Sequence, residues 1–178
     1  MALVIVLIII AVVVISIIVM SNNLNKALVK IDEANSGIDV ALTKRYDVLT
    51  KMMDSVKAYV KHEKETLFEV INLRKGMTIE EKNIENSKMT KNMEKINLLV
   101  ENYPELKASE TFTVLQQSIV EVEEHLQAAR RMYNSNVSIF NQMLVTIPSN
   151  IVASMSGMTK KEFFEAEEVK RQDVKIEI

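Results

Sequence analysis

The two histidines and their neighbouring carboxylates are the residues of this chain best suited to metal binding or acid–base chemistry. Helical bundles hold di-metal centres with Glu-x-x-His pairs on facing helices. His62 has Glu65 three residues after it, which reverses that order. His125 follows Glu121 by four residues and stands beside Glu124. Because the carboxylate set is incomplete, we interpret both histidines as helix-surface residues in ion-pair networks, and we predict no metal site.

Other kinds of catalytic site also lack their residues. The chain has no cysteine to serve as a nucleophile, and no serine occupies a nucleophile elbow. Its three glycines, Gly37, Gly76 and Gly157, are isolated and form no phosphate-binding loop. A net charge of −2 provides no basic field for nucleic acid. We therefore predict a protein that is not an enzyme, with no catalytic residues, no cofactor and no nucleic-acid partner.

The first twenty residues carry no charged side chain and predict a membrane anchor. Ser16 is the only polar residue of positions 3–20, and fifteen of the eighteen are Leu, Val or Ile. In lipid such a segment must form a helix, and its length of about 27–30 Å matches the hydrocarbon thickness. A cleaved signal peptide would have a basic start, a shorter apolar run and a small-residue cleavage site. Residues 1–20 fit the anchor better, with residues 2–20 in contact with lipid.

The charges that follow the anchor predict its orientation. Lys26 and Lys30 lie within ten residues of its end, whereas no charged side chain precedes it. By the positive-inside rule, the soluble domain is expected in the cytoplasm of a single-pass cell-membrane protein.

Beyond the anchor, apolar residues recur at spacings of four and three, which is typical of a coiled-coil-like helix face. We predict helices at about 21–75, 78–102 and 109–147. No breaker separates Met20 from Leu24, so the membrane helix is expected to continue into the first of them. Each helix needs partners to bury its apolar face. The predicted fold is all-α: a single transmembrane helix continuing into a long-helix antiparallel three- or four-helix bundle that covers residues 21–158.

Turn and capping residues set the expected helix ends. The first helix should stop near Gly76 after a basic pair, and residues 78–81 (TIEE) form a capping box for the second. Asn102, which tolerates the left-handed conformation, and Pro104 form the next turn. Pro148 ends the third helix. Residues 159–162 (TKKE) form another capping box, so residues 159–178 are expected to be a short C-terminal helix and a tail.

Polar residues interrupt the predicted apolar face at Asn35, Arg45, Glu63 and Asn136. One interpretation is that the face drifts, so these side chains lie at its edge with packed stems and solvated heads. The other is that they fix register or assembly, as single polar groups do in coiled coils.

Three sequence blocks carry a resemblance to a known family. Residues 57–67 (KAYVKHEKETL), 101–108 (ENYPELKA) and 129–134 (ARRMYN) closely resemble the LemA family of bacterial membrane proteins, and ordered matches cover roughly residues 24–166. A departure is Thr50-Lys51, where the family usually has Pro-Asn; a straighter helix is expected here. The resemblance implies an N-terminal anchor, a helical bundle and no settled enzymatic activity.

The resemblance also implies candidate functional positions, which we expect to hold helix junctions and subunit contacts rather than to catalyse. Together with the polar positions of the apolar face, the candidate structural and assembly residues are Asn35, Arg45, Asp47, His62, Glu63, Asn102, Arg130, Asn134 and Asn136.

Two classes of function fit these features. The first is a membrane-anchored scaffold that forms homo-oligomers and shapes or stabilises the membrane. Its motivation is a first helix of about 55 soluble residues beside helices of about 25 and 39, since surplus apolar face needs a partner. The second is an adaptor that presents its cytoplasmic surface to a protein partner in signalling or membrane-protein quality control.

Overall fold

The computed structural model describes residues 1–59 and 68–164 of the chain, and these form five helices. No strand occurs within those two ranges, which confirms the all-helical fold. The helices are α1 (Ala2–Tyr59), α2 (Ile79–Glu101), α3 (Pro104–Lys107), α4 (Glu110–Met143) and α5 (Ser149–Met155).

The first part of α1 is long and apolar enough to cross a bilayer. None of its most apolar eighteen-residue window is buried in the protein, and the large side chains from Leu3 to Val19 are all exposed. An apolar helix without protein cover does not belong to the core of a water-soluble domain. The structure thus contains an exposed apolar helix of the length that the predicted anchor requires.

The chain divides into two compact units. Unit 1 comprises Met1–Ser36 and Arg131–Phe163, that is, the start of α1, the end of α4 and all of α5. Asn136 donates a hydrogen bond to the Lys30 carbonyl, and Tyr133 lies in the field of the Asp32 carboxylate. Residue numbers thus rise on α1 as they fall on α4, so the two helices are antiparallel. The buried side chains of unit 1 are Leu24, Ala27, Ile31, Ala34, Tyr133, Val137, Phe140, Val152 and Ala153.

Unit 2 comprises residues 37–130 together with Phe164, the described residue of its C-terminal part. Its apolar core is formed by Leu49, Met52, Val56, Ile71, Met89, Ile96, Val100, Leu106, Phe112 and Ile119. In this unit α2 runs in the same direction as α1, because Asp39 pairs with Lys82 and Arg45 pairs with Thr90. Unit 2 is therefore a helical bundle with one parallel helix pair.

An extended return segment, residues 68–78, makes the parallel pair geometrically feasible. The backbone of Glu69 bonds the side chain of Asn92, and the backbone N–H of Asn72 donates to the Glu85 carboxylate. This segment runs antiparallel to α2 and brings the chain back before α2 begins. The predicted capping box that opens α2 is present, since Thr78 and Glu81 exchange side-chain-to-backbone hydrogen bonds.

The return segment corrects the first predicted helix boundary. We expected a helix to about residue 75, but α1 ends at Tyr59, residues 60–67 lie outside the described residues, and residues 68–75 are not helical. Polar side chains on α2 bond the peptide groups of this segment, which takes the place of helical hydrogen bonding. The surplus helix that motivated self-assembly is correspondingly smaller.

The predicted turn after α2 is present, since α2 ends at Glu101 and α3 begins at Pro104. Asn102 caps α2 in the right-handed region, with φ −84°, and its N–H bonds carbonyls of the last turn. Two further expectations at helix ends were wrong. The third helix ends at Met143 rather than near 147, and α5 follows Pro148. The short helix from residue 159 does not form up to residue 164, because Asn141 bonds both peptide groups of Lys161. The remainder of that predicted helix and the tail lie outside the described residues.

Candidate functional site

The buried polar network of unit 2 centres on Arg45, whose side chain crosses from α1 to α2 and α4. Its guanidinium donates to the Asn86 carbonyl at 3.0 Å, to the Asn86 side-chain oxygen, and to Thr90 Oγ1 at 2.9 Å. Its Nε lies 2.6 Å from Glu123 Oε1. The residue is 4% exposed. One side chain therefore joins three helices.

The observed geometry argues against one of the two interpretations of Arg45. The drifting-face interpretation placed its charged head in water, and this is wrong for Arg45 because the head is buried and bonded. Burial of a guanidinium is costly unless its donors are satisfied, and here Asn86, Thr90 and Glu123 satisfy them. Glu123 keeps about a third of its side chain exposed, so the pair remains in partial contact with solvent. The network fixes how α1, α2 and α4 align within unit 2.

A second buried cation, Lys82, lies near the start of α2. Its side chain is 2% exposed, and its Nζ lies 2.6 Å from Asp39 Oδ1 on α1. The Asp39 side chain is 54% exposed and carries the pair's negative charge at the surface. The aliphatic part of the Lys82 side chain thus packs in the interior, and its ammonium group pairs with Asp39 at the surface. The pair adds a second polar link between α1 and α2.

Glu85 connects the start of α2 to the return segment. Its carboxylate accepts the backbone N–H of Asn72 at 2.7 Å and lies 2.7 Å from Lys88 Nζ. Burial alone would raise the pKa of Glu85, but the hydrogen bonds from Lys88 and Asn72 and the charge of Lys88 outweigh it. The pKa of Glu85 is therefore lowered from its ordinary value. Glu85 stays ionised and holds the peptide group of Asn72.

Asn92 is a fully buried polar residue near the centre of α2, and its side-chain amide forms the hydrogen bonds that a backbone peptide group would form. Its Oδ1 accepts the Glu69 N–H at 2.8 Å, and its Nδ2 donates to the Glu69 carbonyl at 2.9 Å. Both backbone groups of Glu69 are satisfied in this way, as they would be by a neighbouring strand. Asn92 therefore fixes the return segment on α2.

Sequence reasoning missed the polar residues of α2. The apolar Ile84 on α2 is 50% exposed, whereas the polar residues Lys82, Glu85, Asn86 and Asn92 are buried. The seven-residue spacing of Lys82, Met89 and Ile96 was the available signal. This spacing did not lead to a prediction of burial, because a lysine is ordinarily assigned to the protein surface.

The predicted site residues do not converge on one site. In unit 2, Arg45 is buried in the network, Asp47 and Asn102 are exposed, and the Arg130 guanidinium lies 5.2 Å from the centre of the Phe164 ring. In unit 1, Asn35, Asn134 and Asn136 are half-buried, and Asn136 bonds the Lys30 carbonyl at 3.0 Å. His62 and Glu63 lie outside the described residues.

The polar residues of unit 1 hold the last described segment against α4. Tyr133 donates its hydroxyl to the Glu162 carbonyl at 3.1 Å, and Asn141 brackets Lys161. Burial and the carboxylates of Glu162 and Asp32 raise the pKa of Tyr133. The phenol therefore stays neutral and serves as a hydrogen-bond donor.

The polar contacts of both units connect separate helices and segments. In unit 2 three buried charges have opposite partners: Arg45 with Glu123, Lys82 with Asp39 and Glu85 with Lys88. Among the described residues, no three carboxylates or histidines gather closely enough to hold a metal ion. His125 is exposed on α4. The network of Arg45 connects α1, α2 and α4.

Comparison with known proteins places the chain among membrane proteins of one family. Residues 34–178 match the sequence profile of the LemA family. Protein LemA of Metamycoplasma hominis is 31% identical over 158 residues, which cover 86% of this chain and 72% of that protein.

More limited similarity extends to magnetosome proteins. Magnetosome protein MamQ 2 of Paramagnetospirillum magneticum is 30% identical over 67 residues, 38% of this chain and 25% of that protein. Magnetosome protein MamQ of Magnetospirillum gryphiswaldense is 24% identical over 66 residues, 37% of this chain and 24% of that protein. Three observations agree: the family match, the similarity to protein LemA over most of both chains, and the exposed apolar segment of the first helix. The chain is therefore a membrane-associated member of the LemA family.

Proposed function

We propose that this protein is a non-enzymatic scaffold that is anchored in the bacterial cell membrane, self-assembles beside the bilayer and shapes or stabilises it. The observation that carries the proposal is a helix surface without charge in unit 1. From residue 132 to residue 159 the chain has no charged side chain, although about a quarter of the whole chain is charged. Depletion of charge marks the core of protein–protein interfaces.

The uncharged surface includes the last part of α4, residues 132–143. Met132 and Ile139 lie seven residues apart on this helix and are 64% and 52% exposed. Seven residues are two helical turns, so both side chains lie on one face. A water-facing helix surface ordinarily carries charges there. A second copy of the chain in the same bilayer presents the same face at the same height, which favours lateral association.

The lengths of the helices leave little surplus apolar face on α1 for self-assembly. The soluble part of α1, from Ser21 to Tyr59, is close in length to the 34 residues of α4, so little of α1 is left over as unpaired helix. Assembly is therefore proposed through the uncharged face of α4, defined by Met132 and Ile139.

Crosslinking in native membranes tests the proposal with a matched pair of variants. The chain has no cysteine, so a single introduced thiol is unique. Ile139→Cys and Val120→Cys replace side chains of α4 that are both 52% exposed. Val120 stands beside the charged residues Glu121, Glu123 and Glu124. With a bifunctional maleimide we expect crosslinked dimers from Ile139→Cys and few from Val120→Cys.

Direct sizing completes the test. Imaging of the purified full-length chain, anchor included, is expected to show particles of several copies. A single-copy particle together with equal crosslinking of the two variants would contradict self-assembly.

Orientation is part of the same proposal. Lys26 and Lys30 after the apolar segment favour a soluble part in the cytoplasm. A thiol-reactive reagent that does not cross the membrane should leave the Val120→Cys variant unlabelled in intact cells and label it after lysis. Labelling in intact cells would reverse the orientation and exclude the alternative proposal, an adaptor for cytoplasmic signalling or quality-control proteins.

A further inference from the structure

The α4–α5 corner of unit 1, residues 144–156, has an apolar surface where a water-soluble protein would be polar. Ile147, Ile151 and Met155 are spaced by four residues and are 77%, 58% and 77% exposed, and Val145 is 62% exposed. On the other side of α5, Val152 and Ala153 are buried against the protein. α5 thus has two apolar sides, of which the protein covers one.

The height of this corner above the membrane follows from α1 and α4. The large apolar side chains of α1 are exposed from Leu3 to Val19, Met20 and Ser21 are partly covered, and Leu24 is the first fully buried residue. Four residues of helix rise about 6 Å. Each headgroup region of a bilayer is about 5–8 Å thick. The packed part of unit 1 therefore begins within the headgroup layer, without a linker.

The antiparallel pairing places the end of α4 at the same height. Asn136 bonds the backbone of Lys30, and α4 continues for seven residues to Met143. Seven residues descend about 10 Å, to the level of residue 23 on α1. The corner that follows Met143 is then level with Met20 and Ser21, where the apolar segment of α1 ends.

The backbone of the corner holds its apolar side chains in place. Ser149 donates its hydroxyl to the carbonyls of Met143 and Thr146, at 2.7 and 2.9 Å. Gly157, with φ +64°, ends α5 in the left-handed conformation that glycine adopts without strain, and Met158 N–H closes the turn on the Ala153 carbonyl. The corner is a built surface rather than a loose loop.

Charge at the corner fits a lipid surface. The corner itself has no charged residue, and the nearest charges along the chain and at this height are basic: Lys26, Lys160 and Lys161. The backbone of Lys161 is held by Asn141, two residues before the end of α4. Apolar side chains with lysines around them are the composition of helices that lie in the headgroup region of anionic membranes.

We propose that the α4–α5 corner inserts Val145, Ile147, Ile151 and Met155 into the interfacial layer of the bilayer that α1 crosses. The protein then contacts lipid at two points, the apolar segment of α1 and this corner. The inference rests on the membrane anchoring of the proposed function but not on self-assembly.

A single tryptophan reports on the corner, because the chain has none. Ile147→Trp and Ile151→Trp place the reporter on the corner, Val19→Trp places it on the apolar segment, and Met132→Trp places it higher on α4. The full-length variants are reconstituted at one chain per nanodisc of mixed neutral and anionic lipid, with or without bromine on the acyl chains near the glycerol. Circular dichroism of each variant confirms its helical fold, and two corner positions guard against a local failure to fold.

We expect bromine to quench Ile147→Trp and Ile151→Trp as strongly as Val19→Trp, and to leave Met132→Trp unchanged. Red-shifted emission of both corner variants without quenching would place the corner in water and overturn the inference. Blue-shifted emission without quenching would mean that protein covers the corner, and this would also overturn the inference. Quenching of Met132→Trp as strong as that of the corner variants would show that lipid contact is not specific to the corner, with the same consequence. Single-chain nanodiscs keep this outcome separate from self-assembly, which crosslinking measures.

Discussion

Units 1 and 2 each contain part of α1 and part of α4, but different kinds of residue pack between these two helices in each unit. In unit 1 small and apolar residues pack, with Ala27 and Ala34 on α1 facing a core that includes Phe140. In unit 2 a third helix, α2, brings the buried Lys82, which pairs with Asp39, and the polar residues Asn86 and Thr90, which accept hydrogen bonds from Arg45. Apolar packing sets distance without direction, whereas hydrogen-bonded charges fix one alignment. The comparison shows that unit 2 adds buried charged residues to its apolar core, whereas the buried residues of unit 1 are apolar apart from Tyr133.

The largest effect is expected from the core of unit 1. Phe140 is fully buried, so Phe140→Ala should destabilise this unit by about 3–5 kcal/mol through lost burial and a cavity. Hydrogen exchange measured by mass spectrometry should show faster exchange in unit 1 first. The neighbouring Ile139→Ala, at a half-exposed position, is the control and should cost less than about 1 kcal/mol. Equal losses of stability in the two variants would contradict the assignment of Phe140 to the core of unit 1.

The next effect is expected from the network of unit 2. Arg45→Ala leaves Glu123 and Asn86 without their buried partner and should cost about 2–4 kcal/mol in urea unfolding. Arg74→Ala, which removes a largely exposed ion pair with Glu81, should cost less than about 1 kcal/mol. Arg45→Lys should not restore stability, because an ammonium cannot reach the three partners together. Full rescue by lysine would show that charge alone matters at this position.

A smaller effect is expected where α2 holds the return segment. Asn92→Ala removes both hydrogen bonds to the Glu69 backbone and should cost about 1–3 kcal/mol. Faster exchange of the Glu69 amide, with little change in unit 1, is the measurement that locates the effect. Asn102→Ala, at an exposed position, should stay within about 0.5 kcal/mol of the parent. Unchanged exchange at Glu69 would contradict the role given to Asn92.

The smallest effect is a dependence on pH. The folded-state pKa of Glu85 lies below its unfolded value, so its contribution to stability is present above about pH 4.5 and is lost as the pH falls through the lower folded value. Glu85→Gln should therefore lessen the acid-induced loss of stability in unit 2. Urea unfolding of both proteins across the acidic range measures the difference. Parallel pH profiles would mean that Glu85 titrates alike in the folded and unfolded chain.

Much of the fold followed from periodic apolar residues. The spacing of Ile38, Leu42, Leu49, Met52 and Val56 predicted the buried face of α1, and all five are buried. The capping box at Thr78 predicted the start of α2 correctly. These features are local, so neighbouring residues in the sequence determine them.

The errors arose where distant residues compete with local preference. Residues 68–75 have no local signal for extended backbone; α2 supplies it through Glu85 and Asn92, which are 13 and 23 residues from their partners. The capping box at residues 159–162 is locally sound, but Asn141 bonds Lys161 instead. Arg45 was predicted to matter, while its partners Asn86 and Thr90 were not, because their pairing depends on the direction of α2.

Within unit 1 the apolar segment continues as one helix into the packed part of the unit, and this continuity has a mechanical consequence. Because packing begins at Leu24 on the same uninterrupted helix, unit 1 must tilt whenever the anchor tilts. Bilayer thickness influences that tilt. A change of about 10° would move Ser36, about 24 Å beyond Met20, sideways by roughly 4 Å. Lipid composition would thereby set the tilt of unit 1.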